Sequence, residues 1–217
     1  MPCLWQVHAS SLMCGIYPAG MKQVPLVVVG TSAGGMNVLQ HLCAQLPADF
    51  PACVLIVQHL APTRRSELAD ILGRSCVLPV MPATHGASIL PGVVYVATED
   101  HHVLVEPGWV SQSHGAPENR SRPAINVLFR SAAQHYGPMT IGVILTGMLD
   151  DGAAGLAEIK RLGGVTIVQD PAEAQFNAMP LNALEASPVD YVARLDEMGL
   201  LLGALVQGMK QRSAEQK

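Results

Sequence analysis

Leu26-Val27-Val28-Val29-Gly30-Thr31-Ser32-Ala33-Gly34 joins an unbroken apolar, β-branched run to a turn of small residues. A strand with one wet face alternates apolar and polar residues. A run with no alternation reads as a strand buried on both faces, the pattern of parallel sheets. A helix follows over 34–46 and stops before Pro47, and the next apolar run is 53–57. A second helix is expected over 65–72. Strand, helix, strand, helix in this order is the signature of a parallel α/β sheet.

The middle of the chain reads differently. Pro79, Pro82, Pro91, Pro107 and Pro117 punctuate it, and its apolar runs are short. Residues 93–96 and 103–105 are expected to pair as a hairpin across 98–102, and 113–123 reads as an exposed loop. The α/β alternation then returns, with helices over 124–135 and 152–162 and strands over 141–145 and 165–168. Further helices are expected over 181–186 and 198–206. The fold class is therefore α/β: a doubly wound, mostly parallel sheet with helices on both faces and a small antiparallel hairpin insertion. The domain reading is an extension over 1–23, one catalytic domain over 24–208 and a tail over 209–217.

Composition agrees with one compact domain. Of 217 residues, 49% are hydrophobic and 14% charged, which excludes a disordered chain. Net charge is -4 with no Lys/Arg run, so nucleic acid is not an expected partner and neither is an anionic membrane. No apolar run approaches the roughly 20 residues needed for membrane insertion as a helix. The five cysteines are Cys3, Cys14, Cys43, Cys53 and Cys76. Their odd count and the lack of Cys-x-x-Cys spacing point to reduced thiols and a cytoplasmic location. The first 22 residues carry no Lys or Arg before Lys22 and do not read as a secretory signal. Met21, just before the first strand, is a candidate start of translation.

Gly30-Thr31-Ser32-Ala33-Gly34 also fits Gly-x-Ser-x-Gly, in which a tight strand-to-helix turn exposes a serine hydroxyl. The other reading is a plain glycine-rich turn with Ser32 as a helix N-cap. On this motif alone the two stand level. Gln58-His59 closes the second strand, and Asp150-Asp151-Gly152 opens a later helix after the 141–145 strand. In a parallel sheet all three sites fall on one carboxyl edge, where open α/β sheets bind ligands. Serine needs a base and the base needs an orienting acid, so convergence gives the full set for acyl transfer. The chain order Ser, His, Asp differs from the Ser, Asp, His order of α/β-hydrolases. The adjacent His101-His102 would point to opposite faces of a strand, and His8, His41, His85, His114 and His135 show no ligand spacing. No metal and no cofactor are expected.

These motifs together resemble the catalytic domain of the chemotaxis protein-glutamate methylesterases (CheB). The likeness rests on 29–35, on Gln58-His59, and on the Leu-Thr-Gly-Met-x-x-Asp-Gly-Ala-x-Gly block over 145–155. Arg122-Pro123 with Leu128-Phe129, Leu90-Pro91-Gly92 with Tyr95-Val96-Ala97, and Gln169-Asp170-Pro171 with Met179-Pro180 extend it to about 24–204. The resemblance implies Ser32 as nucleophile, His59 as base and Asp151 as orienting acid. It also implies Met148 as a backbone oxyanion donor, with Ala33 and Gly34 beside the site. The implied reaction is demethylation of glutamyl methyl esters on the cytoplasmic helices of methyl-accepting chemoreceptors, with deamidation of receptor glutamines in some members. Ala33, Ser121 and Asn126 depart from the residues usual at those positions and bear on substrate preference. The extension before the first strand is shorter than the roughly 50 residues of a small domain, so no attached receiver domain is expected. Control by a separate regulatory protein and constitutive activity both stay open. Competing readings are a general small-molecule esterase or amidase on the same triad, an idle chemosensory docking protein, and a phosphate-binding module. The last lacks a Gly-x-Gly-x-x-Gly or Gly-Lys-Ser/Thr fingerprint.

Overall fold

The computed structural model describes residues 24–59 and 66–215. The chain builds a seven-stranded sheet with all its pairings parallel, in the order β3-β4-β2-β1-β7-β8-β9. The strands are β1 (Leu26–Thr31), β2 (Cys53–Gln58), β3 (Val80–Pro82), β4 (Val94–Val96), β7 (Thr140–Ile144), β8 (Val165–Gln169) and β9 (Tyr191–Ala193). Every residue of β1 and β2 is buried, as their unbroken apolar sequences require. Successive residues face opposite layers. Val27 and Val29 of β1 pack with α1 (Gly35–Gln45), α2 (Leu68–Gly73) and α6 (Leu195–Glu215). Leu26 and Val28 pack with α3 (Ile125–Tyr136), α4 (Ala153–Arg161) and α5 (Ala178–Ala186).

β1 lies at the centre, with β2 on one side and β7 on the other. The chain winds first one way from β1 and then the other, so the switch point falls beside the end of β1. That is where a crevice opens at the carboxyl edge of such a sheet. A separate apolar cavity of about 440 Å³ sits at the opposite edge, lined by Val24, Phe50, Gly92 and Met139 among others. It holds none of Ser32, His59 and Asp151.

Two expectations are corrected. The hairpin exists, but its strands are β5 (His102–Glu106) and β6 (Trp109–Ser113), a separate two-stranded antiparallel sheet. The 93–96 run instead enters the main sheet between β2 and β3. A buried apolar run does not reveal its partner, and the polar Ser111 and Gln112 of β6 hid the true one. The expected tail over 209–217 is helical as far as Glu215, because Met198, Leu202, Val206 and Met209 form one buried stripe at helical spacing. His102 is buried: its Nδ1 accepts from the Ala124 N–H at 3.2 Å, and its Nε2 lies 3.0 Å from the Ala116 carbonyl. Residues 1–23, and with them the proposed start at Met21, lie outside the described residues, as does Arg65 at the start of the expected second helix.

Candidate active site

Ser32 follows β1 directly, and its backbone is locked from two sides. Its N–H donates to the Thr146 carbonyl at 3.1 Å, and the neighbouring Thr31 hydroxyl donates to the same oxygen at 2.8 Å. The Ser32 carbonyl accepts from the Gly35 N–H at 3.0 Å and from Gln58 Nε2 at 2.7 Å. Gly34, at φ 76°, is the N-cap of α1, and no side chain caps that helix. Ser32 is therefore no helix cap, and its hydroxyl stays available.

His59 follows β2 and is tied to β1 by its N–H on the Thr31 carbonyl at 3.1 Å. Gln58 Nε2 also donates to the His59 carbonyl at 3.1 Å, so one side-chain amide pins the backbones of both residues. The Gln58 Oε1 has no hydrogen-bond partner among the described residues and lies beside Gly35, where an added Cβ would stand 2.0 Å from it. The His59 ring places Nδ1 3.1 Å from Ser32 Oγ and Nε2 2.7 Å from Asp151 Oδ2. A carboxylate only accepts, so the ring proton sits on Nε2 and Nδ1 faces the serine as acceptor.

Asp151 is 2% exposed and is surrounded by donors. Its Oδ2 accepts the Ile125 N–H at 2.7 Å in addition to His59. Its Oδ1 accepts the Asn126 N–H at 3.1 Å and Asn119 Nδ2 at 3.4 Å. Ile125 and Asn126 open α3, so Asp151 serves that helix as a cap from elsewhere in the chain, where the helix dipole favours negative charge. Asn126 returns the arrangement. Its Oδ1 accepts the Gly152 and Gly155 N–H groups at 3.1 and 2.7 Å, at the start of α4. Each helix thus receives its cap from the residue beside the other's start. Gly155 permits the approach, since a Cβ there would stand 2.6 Å from that of Phe129.

Asn119 and Asn126 are the site residues that sequence reasoning missed or misread. Asn119 and Arg120, at φ 49° and 64°, form a tight turn closed by backbone bonds between Glu118 and Ser121. Asn is a residue that tolerates this conformation, which was the available signal. Asn126 supports the Asp151 segment, so its departure from the usual residue touches the catalytic frame. Arg122 pairs with Asp100 and donates to the Gly115 carbonyl at 2.8 Å, tying the loop before α3 to the hairpin.

Gly147 completes the floor. Its N–H donates to the Phe176 carbonyl at 2.8 Å, and an added Cβ would stand 3.0 Å from Ser32 Cβ and 2.0 Å from Met179 Sδ. Met148 follows at the rim, 55% exposed. Thr146 Oγ1 bonds to the carbonyls of Ala33 and Phe176. Among the described residues no group of three or more His, Cys, Asp and Glu side chains could hold a metal ion.

A hydroxyl, an imidazole and a buried carboxylate in sequence at the carboxyl edge of an open parallel sheet define a site of the serine-hydrolase class. The comparisons with known proteins narrow that class. The CheB methylesterase family model matches residues 27–202. The crystal structure of the Thermotoga maritima CheB methylesterase catalytic domain superposes with a TM-score of 0.81 at 34% identity, covering 85% of this chain and all of that one. A Paraburkholderia xenovorans protein-glutamate methylesterase/protein-glutamine glutaminase is 40% identical over 191 residues, 86% of this chain and 52% of the relative. A shorter Leptospira interrogans relative is 41% identical over 182 residues, and the match covers 94% of it. The chain belongs to the CheB methylesterase family and spans about half the length of the longer relatives.

Proposed function

We propose that this chain hydrolyses γ-glutamyl methyl esters on the cytoplasmic helices of chemoreceptors, and the side-chain amides of receptor glutamines by the same route. The observation that supports this most is the continuous Ser32–His59–Asp151 line of hydrogen bonds within a family whose relatives carry both activities in their names. The site of action implied is the cytoplasm, and among the described residues no helix is long and apolar enough to cross a membrane.

Each step follows from the geometry. Nδ1 of His59 takes the Ser32 hydroxyl proton as Oγ attacks the ester carbonyl carbon. The imidazolium that forms is held by Asp151, whose charge is in turn held by the start of α3. The Ala33 and Met148 N–H groups have no acceptor among the described residues, and they adjoin Ser32 and the Gly147 that stands against it, so they are the donors we assign to the oxyanion. The N–H groups of Ser32 and Gly147 are engaged elsewhere and are not available for this. His59 returns its proton to the departing methoxide, which leaves as methanol, or to the amide nitrogen, which leaves as ammonia when the substrate is an amide. A water attacks the acyl-serine by the same relay in reverse, which frees a glutamate and restores Ser32.

The test is methanol release from a methylated receptor cytoplasmic fragment. The parent chain should release methanol, and Ser32→Ala should lower the rate by several orders of magnitude. Equal release by parent and variant would refute the assignment.

A further inference from the structure

Leu149 is placed at odds with stability. It stands at φ 66°, in the left-handed region that Gly and Asn occupy readily and that is strained for a branched apolar residue. Its side chain is also 57% exposed, so burial does not offset that strain. The conformation is held from outside, by Asn182 Nδ2 donating to the Leu149 carbonyl at 2.7 Å. Strain of this kind, imposed by a neighbour, belongs with function.

The surroundings show what the side chain is for. Met148, beside it, is 55% exposed, Phe176 36% and Leu181 43%. Hydrogen bonds join these segments around the nucleophile: Gly147 N–H to the Phe176 carbonyl at 2.8 Å, and Met179 N–H to the Gly147 carbonyl at 3.0 Å. The Phe176 ring lies against Gly34, in the turn that carries Ser32. Four exposed, large apolar residues are therefore carried on segments that hydrogen bonds hold together beside Ser32. Exposed Asp150 and Glu185 lie close by with Asn182, in a hollow whose one cation among the described residues, Arg130, is paired with Glu118, so the two carboxylates leave it acidic.

We propose that Met148, Leu149, Phe176 and Leu181 form the docking surface for the substrate helix, which must be amphipathic and present apolar residues beside its esterified glutamate. The inference rests on the methylesterase reading and deepens it. Continuity with the triad identifies the occupant: Gly147, next to Met148, stands against Ser32, and Phe176 against Gly34, so a segment lying on this patch passes the nucleophile. The acidic rim adds selectivity, since it disfavours helices that carry free carboxylates beside the ester and favours those with Lys or Arg there. Deesterification then adds a charge that the rim repels, which helps the product leave.

The experiment compares two substrates, a methylated receptor cytoplasmic fragment and nitrophenyl acetate, with two variants, Leu149→Asn and Leu181→Ser. Asn tolerates the backbone at 149 and removes the apolar contact, so the thermal midpoint of L149N should match or exceed that of the parent. The ratio of kcat/KM for the fragment to kcat/KM for the small ester should fall about tenfold or more in each variant, chiefly through KM. An unchanged ratio in both variants overturns the docking surface while leaving the methylesterase reading intact. Equal loss on both substrates also overturns it, because the loop then acts on the triad. Self-association of the parent that L149N abolishes would assign the patch to a second copy and overturn it as well. A parent that acts on nitrophenyl acetate but never on the receptor fragment refutes the methylesterase reading itself.

Discussion

Replacing Asp151 by Asn removes one negative charge and one acceptor from a carboxylate that receives four hydrogen bonds. The amide has one oxygen. If that oxygen keeps the place of Oδ2, His59 and Ile125 stay satisfied, but the new NH2 group points at the Asn126 N–H and the Asn119 amide. If the amide turns over, its NH2 faces His59 Nε2, which must then give up its proton. The proton moves to Nδ1, and the base that should accept from Ser32 becomes a donor. The first orientation loses the charge that stabilises imidazolium, and the second also loses the tautomer. Either should lower kcat about 10⁴-fold, or roughly 5.4 kcal/mol at 1.36 kcal/mol per decade. A buried donor left without an acceptor costs about 1–3 kcal/mol of stability. The assay is kcat for hydrolysis of nitrophenyl acetate, a small ester that does not engage the acidic rim, at pH 7, with urea unfolding of the same preparation and Asp150→Asn as control. Asp150 is exposed, and its variant should stay within about twofold of the parent. A D151N enzyme that keeps a tenth of parental kcat, or a D150N enzyme equally damaged, would refute Asp151 as the orienting acid.

Asn126→Ala strips the acceptor from the Gly152 and Gly155 N–H groups, and urea unfolding should show a loss of about 2–4 kcal/mol with a fall in kcat. Full stability in that variant would mean the crossed caps are dispensable. Gly35→Ala puts a Cβ 2.0 Å from Gln58 Oε1 and 2.5 Å from Thr31 Oγ1, so Gln58 must leave the carbonyls of Ser32 and His59. Its kcat/KM should drop at least about tenfold on small and large substrates alike. The Cys43 thiol donates to Cys76 and holds the Cys76 thiol below its ordinary value, against the opposing push of burial. A lowered value means thiolate at lower pH, so alkylation of Cys76 should rise well before pH 8.5 and shift upward in Cys43→Ala. Identical pH profiles in the two proteins would dismiss the thiol pair.

The parts of this molecule legible in the sequence are those governed by local rules. β1, β2, β7 and β8 declare themselves because strands buried on both faces leave no room for polar residues. Ser32, His59 and Asp151 could be brought together on paper because each falls just beyond a strand that had to be parallel to the others. The edge strands β3 and β9 are three residues long and largely exposed, so no pattern marks them. β4 was seen as a strand but given the wrong neighbour, since burial alone carries no register. Asn119 and Asn126 escaped for a deeper reason. Their work is to meet Asp151 and the start of α4 across a distant stretch of chain, and an Asn in a turn or on a helix looks the same whatever it meets.

Thr31 reaches the carbonyl of Thr146 across 115 positions of chain. Ser32 and Asp151, the proposed nucleophile and orienting acid, therefore become neighbours only when β7 has docked beside β1. Pairings this remote are slow to form, on the scale of milliseconds to seconds rather than microseconds. A ribosome-bound chain that has not yet released its β7 segment is inert however well β1 and β2 have assembled. The proposed site therefore cannot act before β7 has docked, however well the rest has folded.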